Sequence, residues 1–372
     1  MEKTSAPQFP SSSGRFAAAY RVLQDAISAH AFPGCAFGVQ AGGAVALQDN
    51  LGRFTYEADA APVASDTVYD LASLTKVAAT TAAAMLLAQR GQLDVDTPLG
   101  ELLPGFVVGR SPQEGARHVT LRHLLAHNSG LPGYAEFFRT ATTPAQLFRA
   151  CLELPLEAQP GTRAEYSDPG FILLGKAIEV LTGEYLAPWV HREIFAPLQM
   201  AATGFCPAPA ILALIPPTEE DTTLRHRRIQ GEVQDENAWL LKGAAGHAGV
   251  FSNVPDLLRF AAETLNGAKG RGLLFQPETV AQFAQKQSPE GSSRALGWDT
   301  PSEESSSGNY FSKRSIGHLG YSGCSLWIDL DAEVAIVLLT NRTWPSRNAE
   351  TAKLIRHVRP AFHNAVRAAL SL

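Results

Sequence analysis

Cysteine is scarce in this chain, with four among 372 residues: Cys35, Cys151, Cys206 and Cys324. No two are close enough for a C-x-x-C pair, which excludes a zinc ribbon, a disulfide framework and a dithiol redox centre. Buried free thiols are the expectation. Charge is sparse too, at 18% of residues with a net charge of −5. No basic run or basic helix face stands out, which argues against a nucleic-acid partner. No apolar run reaches the length of a membrane span. Met1–Gly14 is polar, carries Pro7, Pro10 and three consecutive serines, and lacks the apolar centre of a secretory signal. These absences predict a protein without membrane association, cytoplasmic, or periplasmic if a leader has been removed, with a flexible tail over residues 1–14. They do not address its oligomeric state.

A hydrophobic share of 45% is enough for a large core. Residues 15–30 have the spacing of an amphipathic helix. Cys35–Gln40 and Ala44–Gln48 are apolar runs parted by Ala41-Gly42-Gly43, a hairpin signal. Ser325–Leu330 and Val334–Thr340, parted by Asp331-Ala332-Glu333, form a second hairpin signal, and Thr351–Leu370 a closing helix. The long middle is mostly helical in pattern, and a Ser/Gly-rich stretch, Ser288–Ser307, reads as a flexible loop. Strands at both ends with helices between them predict an α+β fold. An antiparallel sheet is assembled from residues 15–80 and 288–372, flanked by helices, with an all-helical lobe (81–287) inserted. A cleft is expected between them.

Ser73-Leu74-Thr75-Lys76 opens a predicted helix that runs through Arg90 and stops at Gly91. Residues three apart share a helix face, so Lys76 can reach Ser73. A serine hydroxyl attacks only when a base takes its proton, and a lysine serves only if its surroundings lower its pKa. Tyr166-Ser167-Asp168 precedes another predicted helix. A phenol beside a lysine can act as general base, while a bland reading makes Asp168 the helix cap. Gly317 and Gly320 flank His318 before the last hairpin, where a substrate could approach the backbone closely.

Together these segments resemble the serine β-lactamase and penicillin-binding-protein superfamily, in its class C-like branch. That branch includes family VIII carboxylesterases and D-alanyl-D-alanine carboxypeptidases. Ser73–Lys76 matches S-x-x-K. Tyr166-Ser167-Asp168 stands for Y-x-N with Asp in place of Asn, and His318-Leu319-Gly320 stands for K-T-G. Leu121–Pro132 and Gly246–Ser252 resemble flanking segments of the family. The resemblance implies a β-lactamase-like fold in which Ser73 is acylated, Lys76 keeps it activated and Tyr166 moves the proton. The N–H groups of Ser73 and Tyr321 would form the oxyanion hole, with Asp168, His318, Gly320 and His247 lining the substrate site.

The departures from the pattern shape the expected substrate. His318 is mostly neutral at pH 7 and Leu319 lacks a hydroxyl, so both weaken the case for carboxylate-bearing substrates. Arg342 and Arg347 are candidates to restore that cation. Asp168 could pair with Lys76 and hold it protonated. The substrate expected is a small-molecule ester, amide or β-lactam, with carboxylesterase action on short acyl esters favoured. A D-alanyl-D-alanine carboxypeptidase, a β-lactamase and a non-catalytic sensor are the alternatives. No cofactor or metal is required: His123 and His127 are four apart without the glutamate of H-E-x-x-H, and read as packing residues. Ser325, in a near miss of G-x-S-x-G, is set aside.

Overall fold

A computed structural model describes residues 14–371 apart from 112 and 114. The expected tail over 1–14 therefore lies, except for Gly14, outside the described residues.

Five antiparallel strands form the main sheet. They are β1 (Gly34–Ala41), β2 (Ala44–Gly52), β8 (Ser315–Leu319), β9 (Ser325–Asp329) and β10 (Val334–Thr340). Their order is β2-β1-β10-β9-β8, so the two ends of the chain meet where β1 pairs with β10, Cys35 opposite Thr340. β10 is buried along its whole length and β1 along nearly all of it. Both faces of the sheet are covered, which is why these strands read as continuous apolar runs. Helices α1 (Ala17–Ser28) and α5 (Ala349–Leu370) pack on one face through Leu23, Ile27, Ile355, Phe362 and Val366. Helix α4 (Val254–Ala268) lies against the other face. Gly38 makes that approach possible, since a Cβ there would sit 2.5 Å from Val254.

Besides its helices the middle of the chain carries strands of two small sheets, the first of them completed by the strand that precedes Ser73. β3 (Tyr69–Asp70), β7 (Val250–Ser252) and β4 (Gly204–Phe205) make one; β5 (Glu219–Asp221) and β6 (Arg227–Ile229) make the other. The pairing of Tyr69 with Ser252 brings the segment that leads to Ser73 alongside the loop at Gly246–Gly249. Residues 288–307 are irregular rather than a solvated loop. Ala295, Leu296 and Trp298 are buried in the core, and Asp299 exchanges two backbone hydrogen bonds with Gly317 on edge strand β8. The serine and glycine content hid this packing.

Three of the four free cysteines are buried as expected, but Cys206 is exposed. Among the described residues no helix is long and apolar enough to cross a membrane.

Candidate active site

The helix expected after Ser73 is broken into pieces. Ala72–Leu74 is a 3-10 turn, Lys76–Thr81 is wound as a π-helix, and regular α-helix begins only at α2 (Ala82–Gln89). π-turns of this kind recur at functional sites. Ala72, just before Ser73, has φ of 47°, a left-handed conformation unfavourable for a residue with a side chain. Asp70 holds this turn. Its Oδ1 accepts from the Ala72 N–H at 2.8 Å and its Oδ2 from the Gln234 N–H at 2.7 Å. Its backbone carbonyl accepts from Ser322 Oγ at 2.9 Å, which ties the Ser73 turn to the Tyr321 turn.

Burial pushes the Asp70 carboxyl up to about 6, against the pull of those two N–H groups. Because it lies above the ordinary carboxylate value, the group favours the folded state most fully at low pH, and that contribution fades as pH rises through about 6. Protonation also turns one acceptor oxygen into a donor. We therefore expect an acid limb near pH 6 in the acylation rate, measurable by stopped flow, that is missing in Asp70→Asn.

Lys76 is fully buried and makes three contacts through Nζ. It donates to Ser73 Oγ at 3.1 Å, to Asp168 Oδ1 at 2.6 Å and to the carbonyl of His247 at 3.1 Å. Burial works against the Lys76 cation, but the Asp168 carboxylate beside it outweighs burial and holds Lys76 above the ordinary lysine value. The pairing of Lys76 with Asp168 is present, and it favours the ammonium form of Lys76. Asp168 is free to make this pair because Ser167 caps the helix. The Ser167 hydroxyl accepts from the Gly170 N–H at 3.1 Å at the start of α3 (Asp168–Thr182). The bland reading of Asp168 as the cap is thus corrected.

Tyr166 is held by a short ladder between residues 127–133 and 165–168. The Glu165 N–H donates to the His127 carbonyl at 2.7 Å, and the Asp168 N–H to the Gly133 carbonyl at 2.9 Å. Among the described residues the buried Tyr166 hydroxyl has no partner in full hydrogen-bond geometry, though it lies near enough to Lys76 and Ser73 to interact with both. Lys76 Nζ lies 4.8 Å from its ring centre, and the Arg294 guanidinium lies 5.4 Å away. Burial lifts the Tyr166 phenol above the ordinary tyrosine value; the Lys76 cation pulls it down and Asp168 adds to the rise. That direction favours the neutral phenol over the phenolate.

Two histidine rings flank it. His127, 4.6 Å away, accepts through Nδ1 from the Ser167 N–H at 2.9 Å, so it packs as expected but does so at the site. His318, 5.9 Å away, bonds the Leu319 carbonyl through Nδ1 at 2.8 Å. Burial, then the Lys76 and Arg294 cations, pull His318 well below the ordinary histidine range, so it is neutral. His247 bonds Asp235 through Nε2 at 2.8 Å.

Among the described residues the N–H groups of Ser73 and Tyr321 have no hydrogen-bond acceptor. Gly320 allows the turn before Tyr321 to come close: a Cβ there would stand 2.5 Å from the Leu71 carbonyl oxygen.

Two cavities meet at Ser73, Tyr166 and Tyr321. The larger, about 790 Å³, is walled by Tyr134, Asp168, Glu219, Asp235, Glu236 and His247. The smaller, about 310 Å³, is walled by Arg294, Asp299, His318, Arg342, Arg356 and Arg359. Arg342 is buried, stacks on the Tyr321 ring at 4.5 Å and has one long bond, 3.4 Å to Thr351 Oγ1. Arg347 is different. It grips Glu219 with two bonds of 2.8 Å and reaches Glu236, so it is not free to hold a substrate anion. Motif reading missed Arg294, Arg356 and Arg359. Arg294 lay in the supposed flexible loop, and the other two read as the polar side of a terminal helix.

The sequence pattern of the beta-lactamase family matches residues 19–359. The chain belongs to that family. A protein of Salmonella typhimurium, provisionally named a D-alanyl-D-alanine carboxypeptidase, is 32% identical over 308 residues, 75% of this chain and 70% of that one. Solved structures of the family's fold align over nearly the whole chain. Simvastatin synthase of Aspergillus terreus superposes with a TM-score of 0.72 at 22% identity, over 96% of this chain and 95% of that one. A hydrolase with promiscuous acyltransferase activity gives 0.75 at 22% identity, over 93% and 98%. The octameric penicillin-binding protein homologue of Pyrococcus abyssi gives 0.70 at 21% identity, over 91% and 75%. This member of the beta-lactamase family is thus a serine hydrolase by family, with a β-lactamase-like fold.

Proposed function

We propose that this chain cleaves amides or esters through an acyl-enzyme on Ser73, with a carboxylate-bearing leaving group seated in the arginine-walled cavity. Support for the nucleophile comes from the bonded sequence Ser73–Lys76–Asp168, with the Tyr166 hydroxyl beside it. On this reading Tyr166 and Lys76 act as one proton-holding unit. The proton of Ser73 enters that unit as the acyl bond forms and leaves on the departing group. The N–H groups of Ser73 and Tyr321 receive the oxyanion. Each such donor is worth on the order of 3 kcal/mol in the barrier.

The arginine cluster carries the substrate assignment. The small neutral ester favoured by the sequence rested on the loss of a lysine at position 318. Arg294, Arg342 and Arg356, against the single carboxylate of Asp299, line the cavity next to that position, while the guanidinium of the fourth arginine, Arg359, is spent on main-chain carbonyls. Arginine is the side chain best suited to grip a carboxylate. The favoured reading therefore moves from short neutral esters toward carboxypeptidase action, as the name of the Salmonella relative also suggests.

The test compares an acetylated peptide ending in D-Ala-D-Ala, the same peptide as its C-terminal amide, p-nitrophenyl acetate and a penicillin. Mass spectrometry follows the acyl-enzyme in wild type and Ser73→Ala. We expect kcat/KM for the free acid to exceed that for the amide by about 10–100-fold. Arg356→Gln, on the exposed rim, should narrow that gap and leave p-nitrophenyl acetate unchanged. Equal rates for acid and amide would return the assignment to a neutral esterase. A lasting penicilloyl adduct without turnover would make the protein a sensor.

A further inference from the structure

Arg359 sits on α5, far from the three motifs, and is 6% exposed. Its guanidinium makes no ion pair with a carboxylate among the described residues. It donates instead to three main-chain carbonyls of one turn: Gly320 at 2.7 Å, Cys324 at 2.9 Å and Gly323 at 3.2 Å. That turn is closed on itself by the Gly320 N–H donating to the Cys324 carbonyl at 2.7 Å and the Gly323 N–H to the Gly320 carbonyl at 3.0 Å. Burial with no carboxylate alongside pulls Arg359 down to about 9, so it stays charged at neutral pH. A buried cation spent on carbonyl groups is a costly arrangement, and it calls for a reason.

The reason lies in the peptide unit between Gly320 and Tyr321. In a planar trans peptide the C=O of one residue and the N–H of the next point in opposite directions. Arg359 takes the Gly320 oxygen from the side of α5. The Tyr321 N–H therefore points away from Arg359 and has no acceptor among the described residues; Tyr321 and Ser73 together line the larger cavity, which Arg359 does not reach. A cation on the oxygen also polarises the unit and makes that N–H a stronger donor, because linked hydrogen bonds reinforce one another in a low-dielectric site.

We propose that Arg359 is a positioning residue for the oxyanion hole, aiming and polarising the Tyr321 N–H from behind. The proposal rests on the acyl-enzyme reading above. It extends that reading to a residue that touches no substrate in the reaction.

The experiment separates this role from simple support of the turn. An oxygen ester and its thiono analogue, in which sulfur replaces the carbonyl oxygen, are turned over by wild type, Arg359→Met and Arg359→Lys. Sulfur is a weak hydrogen-bond acceptor, so the thiono ester draws little on the oxyanion hole. In Arg359→Met we expect kcat for the oxygen ester to fall by about 10–100-fold with KM nearly unchanged, less than the loss of a whole donor. The thiono ester should fall far less, so the ratio between the two collapses. Arg359→Lys keeps the charge with fewer aligned donors and should recover part of the ratio; if Arg359→Met does not fold, this variant is read alone. A parallel fall for both esters, or an unchanged ratio, overturns the proposal. Absence of any Ser73-dependent acyl-enzyme in wild type would instead remove the parent reading.

Discussion

Replacing Lys76 with methionine should lower the rate of Ser73 acylation by about 10²–10⁴-fold, the usual scale for removing a positioned proton-transfer group. The same change should also destabilise the protein. Among the described residues Lys76 is the only partner of the Asp168 carboxylate, and it donates to the His247 carbonyl as well. Truncating one member of a buried pair typically costs about 3–5 kcal/mol. Asp168 keeps 16% of its side-chain surface exposed and can recover some hydration, so the lower end of that range is expected. The double variant Lys76→Met/Asp168→Leu separates the two effects. With neither charge left, stability in urea should return to within about 1 kcal/mol of wild type or exceed it, while acylation stays lost. Recovered acylation in the double variant would mean that Lys76 takes no part in activating Ser73. A double variant as unstable as the single one would mean that the loss came from packing around Lys76 rather than from the unpaired carboxylate.

How much of this arrangement could be read in advance depended on whether the signal was local. The sheet was legible because β1 and β10 are buried on both faces and bounded by turns, so their apolar runs carry their own identity. The alcohol, the amine and the phenol were legible because each stands in a short motif with fixed spacing. Arg294 and Asp299 were not. They lie in a stretch whose serines and glycines look like solvent-exposed loop, and only the bonds between Asp299 and Gly317 on β8 show that it belongs to the sheet edge. Arg359 was hidden for a related reason. On a helix with hydrophobic periodicity an arginine is normally a solvated residue, and nothing local tells that three carbonyls from a distant turn converge on it. The reading of Asp168 as helix cap failed for a similar reason, since the serine beside it suits that position equally well. Tertiary contact settled it: the carboxylate is drawn to Lys76, 92 residues away in sequence.

Asp168→Asn should shift the pH profile of Ser73 acylation toward acid. The asparagine is nearly the same size, so the geometry of the site is expected to persist, and the experiment reads charge. The Asp168 carboxylate raises Lys76 and raises Tyr166, so it makes both groups hold their protons more tightly. Removing that negative charge lets the coupled unit release a proton at lower pH, whichever of the two carries it at the moment of attack. The sign is therefore independent of which residue is named the base. For stability the sign follows from Lys76. Its pKa is raised in the folded state, so the ion pair contributes fully below the ordinary lysine value and is lost as pH rises through the folded one. At pH 7 the Asn variant should accordingly be less stable than wild type, and the two should converge in strongly alkaline solution. Stopped-flow acylation with a chromogenic ester, followed from neutral pH to above the ordinary tyrosine and lysine values of about 10 to 10.4, measures the kinetic part. A profile that does not move would show that Asp168 does not govern the proton on Lys76, and the 2.6 Å contact would then be structural alone.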